Sequence, residues 1–275
     1  MTDSSAEGAP YLHNSKFIYS YSISTREFFK TNVSSGKDTS VRLDRAVQTM
    51  YSWAETPREQ IYLTGGQSNS AILLNRFADY NSAQVFCIDT PRDFAPKLKQ
   101  PMNFRRVFHS VLFYENYIYA IGGFNKEGCL KDCERYSIED DQWAEIEPLP
   151  VACQNLNSIS FASDLYVVGL EPSAQIETVQ KYSFTSMTWE VLPIRLPTDP
   201  SSTVICFKAE EEVYLIEENS MCTLSLPEGT LTKIRSFETP PQRNMGLCIY
   251  YGGVLYSSNM KGAASRVPID ISRPS

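Results

Sequence analysis

Histidine, cysteine and arginine are the residue types through which this chain could do chemistry, and the first two are poorly placed for it. There are 2 His, His13 and His109, and 7 Cys, scattered as Cys87, Cys129, Cys133, Cys153, Cys206, Cys222 and Cys248. A zinc site needs four ligands at characteristic spacings, and Cys129 and Cys133 form a C-x3-C pair without a second Cys or His pair to complete it. No G-x-S-x-G, H-E-x-x-H or phosphate-cradling glycine loop occurs, and Gly252-Gly253 reads as a turn. The 32 Asp and Glu residues could supply an acid and a base, yet none is singled out by spacing. His109 alone is expected to be a hydrogen-bonded structural residue. No catalytic residue, metal or cofactor is therefore assigned. What remains is recognition: arginines and side-chain amides, with the guanidinium suited to bidentate pairing with carboxylates.

The elements that would position such groups follow from composition. A chain of 275 residues fits one large domain, and an all-β barrel or propeller uses that length as a single unit. The net charge of −7 argues against a protein that grips nucleic-acid phosphates. No apolar run approaches the roughly 18 residues that read as a membrane-spanning helix. The first ten residues are polar, without the basic and then apolar pattern of a secretory signal. With scattered, odd-numbered cysteines, this leads to the expectation of a cytoplasmic protein without nucleic-acid or membrane partners. Tyr 16, Phe 14 and Trp 3 in short runs, with Pro 16 between them, indicate strands joined by frequent loops.

Stacking the chain on itself exposes a repeat. Residues 136–143 read YSIEDDQW, residues 182–189 YSFTSMTW, and residues 21–28 YSISTREF. Each has an aromatic, a polar turn and a second aromatic seven positions after the first. Weaker copies stand at 87–94 (CIDTPRDF), 224–231 (LSLPEGTL) and 267–274 (VPIDISRP). Each is expected to be a strand, a tight turn and a strand whose end residues face the same packed layer. Upstream lies a second motif: IYLTGG at 61–66, IYAIGG at 118–123, LYVVGL at 165–170, VYLIEE at 213–218 and LYSS at 255–258. Its second residue is always Tyr, namely Tyr62, Tyr119, Tyr166, Tyr214 and Tyr256. Another apolar strand and an acidic, Asn or Gly turn precede each, so every unit is four short antiparallel strands, one propeller blade.

Strand, turn, strand ending in Gly-Gly, a variable loop, Tyr-x-Ile, a polar turn and Trp resembles the Kelch repeat. The pattern is best kept over residues 118–150; Gly-Gly decays to Gly169-Leu170 and then to Glu217-Glu218 further on. The resemblance covers about residues 15–273 and implies an all-β Kelch-type propeller, with residues 1–14 as a flexible tail. Six blades with incomplete terminal members are favoured over five, the chain entering near Phe17 on a third strand. The glycines are expected to allow positive φ and close approach of strands. The Tyr and Trp series is expected to fill the space between blades.

The second-to-third and fourth-to-first connections emerge on one face and are the longer ones, which makes that face the expected binding surface. In the Kelch family such loops commonly grip a protein or peptide, and the resemblance implies the same here. The partner-binding set on that face comprises Asn75 and Arg76 in the loop 67–83, Arg105 and Arg106, Phe124 and Asn125, Gln154 and Asn155, and Arg243 and Asn244. Arg106-x-x-His109 resembles the family's Arg-x-x-His, whose Arg often faces the channel mouth. An acidic or carboxylate-bearing partner suits these residues. Relatives include copper-radical oxidases, which need two His ligands, and sialic-acid isomerases, so a sugar-modifying enzyme is one alternative. An actin-associated scaffold is another. A role as substrate adaptor for a ubiquitin ligase normally joins the propeller to a preceding BTB domain, which this sequence does not contain.

Overall fold

The structure is a computed structural model. It describes residues 17–22, 27–42, 51–67, 81–92, 95–161, 163–197, 204–209, 212–217, 220–226, 230–236, 249–251, 253–258, 264–268 and 271. The described residues are all-β, with no helix among them. None of them forms a helix able to cross a membrane.

Among the described residues, six antiparallel sheets of three or four strands follow one another along the chain, and a two-stranded hairpin is inserted in the third. The first contains β1 (Phe17–Ser22), β2 (Glu27–Asn32) and β3 (Asp38–Arg42). The second contains β4 (Ser52–Glu55), β5 (Gln60–Thr64), β6 (Val85–Asp89) and β7 (Pro96–Lys99). In the third, β8 (Ser110–Tyr114) and β9 (Tyr117–Ile121) are followed by a small hairpin, β10 (Phe124–Asn125) and β11 (Gly128–Cys129). The sheet is then completed by β12 (Cys133–Ser137) and β13 (Gln142–Ile146). The fourth runs through β14 (Gln154–Phe161), β15 (Asp164–Glu171), β16 (Ile176–Ser183) and β17 (Thr188–Pro197). The fifth has β18 (Ile205–Ala209), β19 (Glu212–Glu217), β20 (Ser220–Ser225) and β21 (Thr230–Ser236). The last has β22 (Ile249–Tyr251), β23 (Val254–Ser258) and β24 (Ala264–Pro268). Neighbouring sheets touch through their innermost strands, β4 with β8, β8 with β14, β14 with β18 and β18 with β22, while β1 lies against β23 and β24.

Burial explains why the inner strands read as almost continuous apolar runs. Four of the five residues of β5 and of β9 are buried, because each sheet is covered on both faces by a neighbour. The outermost strands, β3 and β13, are mostly exposed, since sheets that converge at the centre spread apart at the rim. Five clusters fill the gaps, and each contains the second-strand Tyr of one sheet facing the next: Tyr62, Tyr119, Tyr166 and Tyr214, all nearly inaccessible. The first sheet supplies Tyr19 in the same way, against Trp53, Ile61, Leu63 and Ile88. The outer-strand tryptophans are half-buried and also join sheets. Trp143 Nε1 donates to Gln100 O at 3.0 Å and Trp189 Nε1 to Glu147 O at 2.8 Å, each acceptor standing before a proline.

Two register expectations need correction. Residues 21 and 28 do pair directly, as do 136 with 143, 182 with 189, and 224 with 231. Tyr19, however, occupies the place of Tyr62, so β1 is a second strand and not a third. The true counterpart of the Tyr136 and Trp143 pair is Thr31 with Asp38, again seven apart. In the second sheet, Ile88 pairs with Ile61 just as Tyr136 pairs with Ile118, so Ile88 and not Cys87 takes the repeat position. Residues 11–13, considered for an additional strand, lie outside the described residues.

The glycine pair has the mechanical role its position suggests. Gly65 has φ +66°, and a Cβ there would stand 2.5 Å from the carbonyl oxygen of Arg106 in the next connection. Gly36 shares its φ at +67° but has nothing within 4 Å of a Cβ, which separates strain from crowding. Gly36→Ala is expected to cost about 1–2 kcal/mol for the left-handed backbone alone. Gly65→Ala is expected to cost a further ~1–3 kcal/mol for the clash. Chemical denaturation of both variants measures the difference, and equal costs would contradict the crowding argument.

Candidate functional site

The connection from the second sheet to the third, residues 100–109, is pinned at almost every step. The Arg106 amide donates to Ser82 O and its carbonyl accepts from Gly66 N, both at 3.1 Å. Val107 and Phe124 exchange backbone bonds of 3.0 and 2.8 Å, which ties hairpin β10–β11 to the connection. Asn81 Nδ2 adds a bond to Phe124 O at 3.1 Å.

Arg106 is a brace for this connection and not a surface residue. Its side chain is fully buried, with Nη1 donating to Gly122 O at 2.7 Å and Asp132 O at 2.8 Å, and Nη2 to Glu134 Oε1 at 2.8 Å. The Glu134 carboxylate also accepts the amides of Asn103 at 2.8 Å and Phe104 at 3.3 Å. Burial pushes the Glu134 carboxyl up, while Arg106 and the two amides pull it back. The expectation that Arg106 lies open at a channel mouth is thus corrected: its charge is spent inside.

The next sheet solves the same problem without charge. By strand register Gln180 stands where Glu134 stands, and by its backbone bond to the preceding Gly-Gly pair Cys153 stands where Arg106 stands. Gln180 Oε1 accepts Val151 N at 2.9 Å, and its Nε2 donates to Val151 O at 3.1 Å and Cys153 Sγ at 3.3 Å. In both sheets a buried polar side chain on the third strand holds the backbone of the connection. The carbonyl of Cys153 accepts from Gly123 N at 3.0 Å, as that of Arg106 accepts from Gly66 N.

The pinned backbone leaves other residues outward. Asn103, Arg105, Lys126 and Glu127 are exposed, and Phe124 and Asn125 are half-buried. Asn125 Oδ1 accepts Glu127 N at 2.8 Å and so shapes the hairpin tip. Gln154 and Asn155 are half-buried at the next connection, and Asn155 has φ +57°. Phe108 occupies the equivalent place with φ +56°, an uncommon conformation for a bulky residue that sequence reasoning had no means to flag. Asn75, Arg76, Arg243 and Asn244 lie outside the described residues. The structure therefore ties the connection that carries Arg105 to the hairpin of Phe124 and Asn125 through the Val107–Phe124 backbone bonds, and withdraws Arg106.

The described histidine and two of the buried thiols are held neutral. His109 is buried, and its Nε2 lies 2.8 Å from Thr64 Oγ1. Loss of hydration and the nearby Arg106 charge hold its pKa well below 6.5. Burial pushes the Cys133 and Cys153 thiols up to about 12, which keeps both protonated. Among the described residues no three His, Cys, Asp or Glu side chains are grouped as a metal would require.

With this geometry in view, comparison with known proteins is informative. The Kelch motif family matches residues 105–150, the segment running from Arg105 to the end of the third sheet. The chain carries a Kelch motif. It is 34% identical over 191 residues to the human Kelch repeat and BTB domain-containing protein 2, covering 64% of this chain and 29% of that protein. It is 24% identical over 140 residues to mouse Kelch-like protein 40, covering 47% and 21%. It is also 30% identical over 79 residues to the Xenopus laevis influenza virus NS1A-binding protein homolog, covering 29% and 12%. The Kelch chain thus spans less than a third of the length of these relatives.

Two expectations follow for the Kelch chain. Glu134→Gln strands the Arg106 cation and is expected to cost about 3–5 kcal/mol. Combining it with Arg106→Cys, which copies the neutral pair of the next sheet, should cost less than the two single changes added together, by more than about 1 kcal/mol. A double-mutant denaturation cycle measures this. His109, neutral when folded and free to protonate when unfolded, contributes stability above its unfolded pKa and loses it as pH falls below about 6.5, at up to ~1.4 kcal/mol per unit. Denaturation midpoints between pH 7 and 5 should fall for the wild type and be flatter for His109→Gln.

Proposed function

We propose that this Kelch chain is a non-catalytic recognition module and that the face made by its sheet-to-sheet connections and hairpin β10–β11 binds a protein segment carrying carboxylates. The observation that carries this reading is the pairing of exposed Arg105 and Lys126 with a backbone pinned from beneath. Neither cation makes an ion pair among the described residues, and the Arg106–Glu134 brace fixes the backbone that presents Arg105. A charged group on a fixed backbone gives up less freedom on binding than one on a mobile loop. Positive-φ backbone at Phe108 and Asn155 belongs to the same connections, and strain of this kind collects at binding sites.

The BTB-bearing relatives support a finer reading, in which the propeller selects a substrate and a BTB domain carried by a longer chain joins it to a ubiquitin ligase. Cytoplasmic residence belongs to the same reading.

The test is capture of partners from a lysate, followed by titration of acidic peptides derived from them. Arg105→Glu with Lys126→Glu, both surface changes, should weaken binding at least about tenfold, or ~1.4 kcal/mol, without moving the melting temperature. Raised salt should weaken wild-type binding as well. Equal recovery of the same partners by both proteins would remove this face from consideration.

A further inference from the structure

The connections that lead into the third and fourth sheets make the same turn with different residues. The Gly66 amide donates to the carbonyl of Arg106, and the Gly123 amide to that of Cys153. Two residues further on stand Phe108 and Asn155, with φ +56° and +57°. The backbone requires a left-handed residue at this place. Asparagine takes up that conformation at little cost, because its short amide bonds locally, whereas a bulky ring does so only against steric resistance. Asn155 meets the requirement and Phe108 exceeds it.

Burial does not repay the excess. Phe108 is half-buried, and its ring belongs to none of the five apolar clusters. Its backbone, by contrast, is committed: the carbonyl accepts from Leu156 N at 3.2 Å, across the seam between the two sheets. That bond sets Phe108 next to residues 154–156, of which Gln154 and Asn155 are half-buried. Three positions before it in the same pinned connection stands the exposed Arg105. A fixed and strained backbone thus carries a ring that the core does not use, and strain held in this way collects at functional sites.

We propose that Phe108 is the apolar anchor of the loop face, and that the segment bound there carries an apolar side chain within a few residues of its carboxylate. This rests on the reading above, that the face binds a carboxylate-bearing segment, and adds that segment's second feature. Arg105 supplies the charge to which the carboxylate is complementary. Phe108 supplies the surface against which an aliphatic or aromatic side chain leaves water. Binding energy in protein interfaces concentrates on aromatic and arginine anchors of this kind.

The test uses the intact chain and two pools of short fluorescent peptides. Both pools carry Asp and Glu among Gly and Ser, and only the second has one Leu, Phe or Trp in each peptide. Wild type should bind the second pool at least about tenfold more tightly. Phe108→Asn, which copies the next sheet, should bind the two pools alike and melt no lower than the wild type. Arg105→Glu with Lys126→Glu should weaken both pools. Equal binding of the pools by the wild type would overturn the anchor and leave the charged face standing, whereas binding of neither would remove both. A lower melting temperature for Phe108→Asn would make the ring part of the core, and a preference kept by that variant would put the apolar contact elsewhere; either result overturns the proposal. So would a wild-type dimer in light scattering that Phe108→Asn dissolves, since a second copy would then cover the ring.

Discussion

Where the second sheet hands over to the third, and the third to the fourth, the chain passes the end of its neighbour's second strand at a distance no ordinary side chain permits. Gly65 and Gly122 mark two such crossings: a Cβ on Gly122 would stand 2.7 Å from Leu156 of the following sheet. The close approach brings an amide of the Gly-Gly pair to a carbonyl of the incoming connection, Gly66 to Arg106 and Gly123 to Cys153. The connection buries its backbone in consequence, and buried backbone must be bonded. Glu134 and Gln180 answer that demand from the third strand. Glycine, connection and third-strand side chain thus form one unit that sets where the third and fourth sheets sit against the ones before them.

Function, in the reading favoured here, is built on the outside of that unit. The groups that hold the connection, Arg106 and Glu134, point inward and are fully buried, while their sequence neighbours Arg105 and Asn103 point to solvent. A pair of adjacent arginines therefore divides its labour, one for the fold and one for the surface. Between the two sides, His109 lies against Thr64 and burial keeps the thiols of Cys133 and Cys153 protonated.

Much of the fold was legible because blade packing repeats its chemistry. A Tyr on every second strand faces the next sheet from Tyr19 to Tyr214, and the seven-residue spacing marks directly paired residues in four places. The same spacing misled at the first sheet: tight hairpins of equal length join second to third strands as well as third to fourth, so residues 21 and 28 pair without being the repeat's own pair. Only the packing of Tyr19 against Trp53 resolves which hairpin is which. At the second sheet the weak copy was placed one residue early, since Cys87 and Ile88 are both buried and apolar and offer no contrast. The site was legible as a face but not residue by residue. Arg105 and Arg106 are the same residue type side by side, and only Glu134, 28 positions away, decides which of them is buried.

The central claim is that buried third-strand side chains fix the connections as firmly as the sheets themselves. Hydrogen exchange of single amides tests it most directly. The account predicts that the amides of Asn103, Phe104 and Val151, all outside regular strands, exchange as slowly as those of β9 and β12. It further predicts that Glu134→Gln releases Asn103 and Phe104 while leaving Val151 protected. Rapid exchange of these three amides in the wild type, at the rate of an open loop, would contradict it.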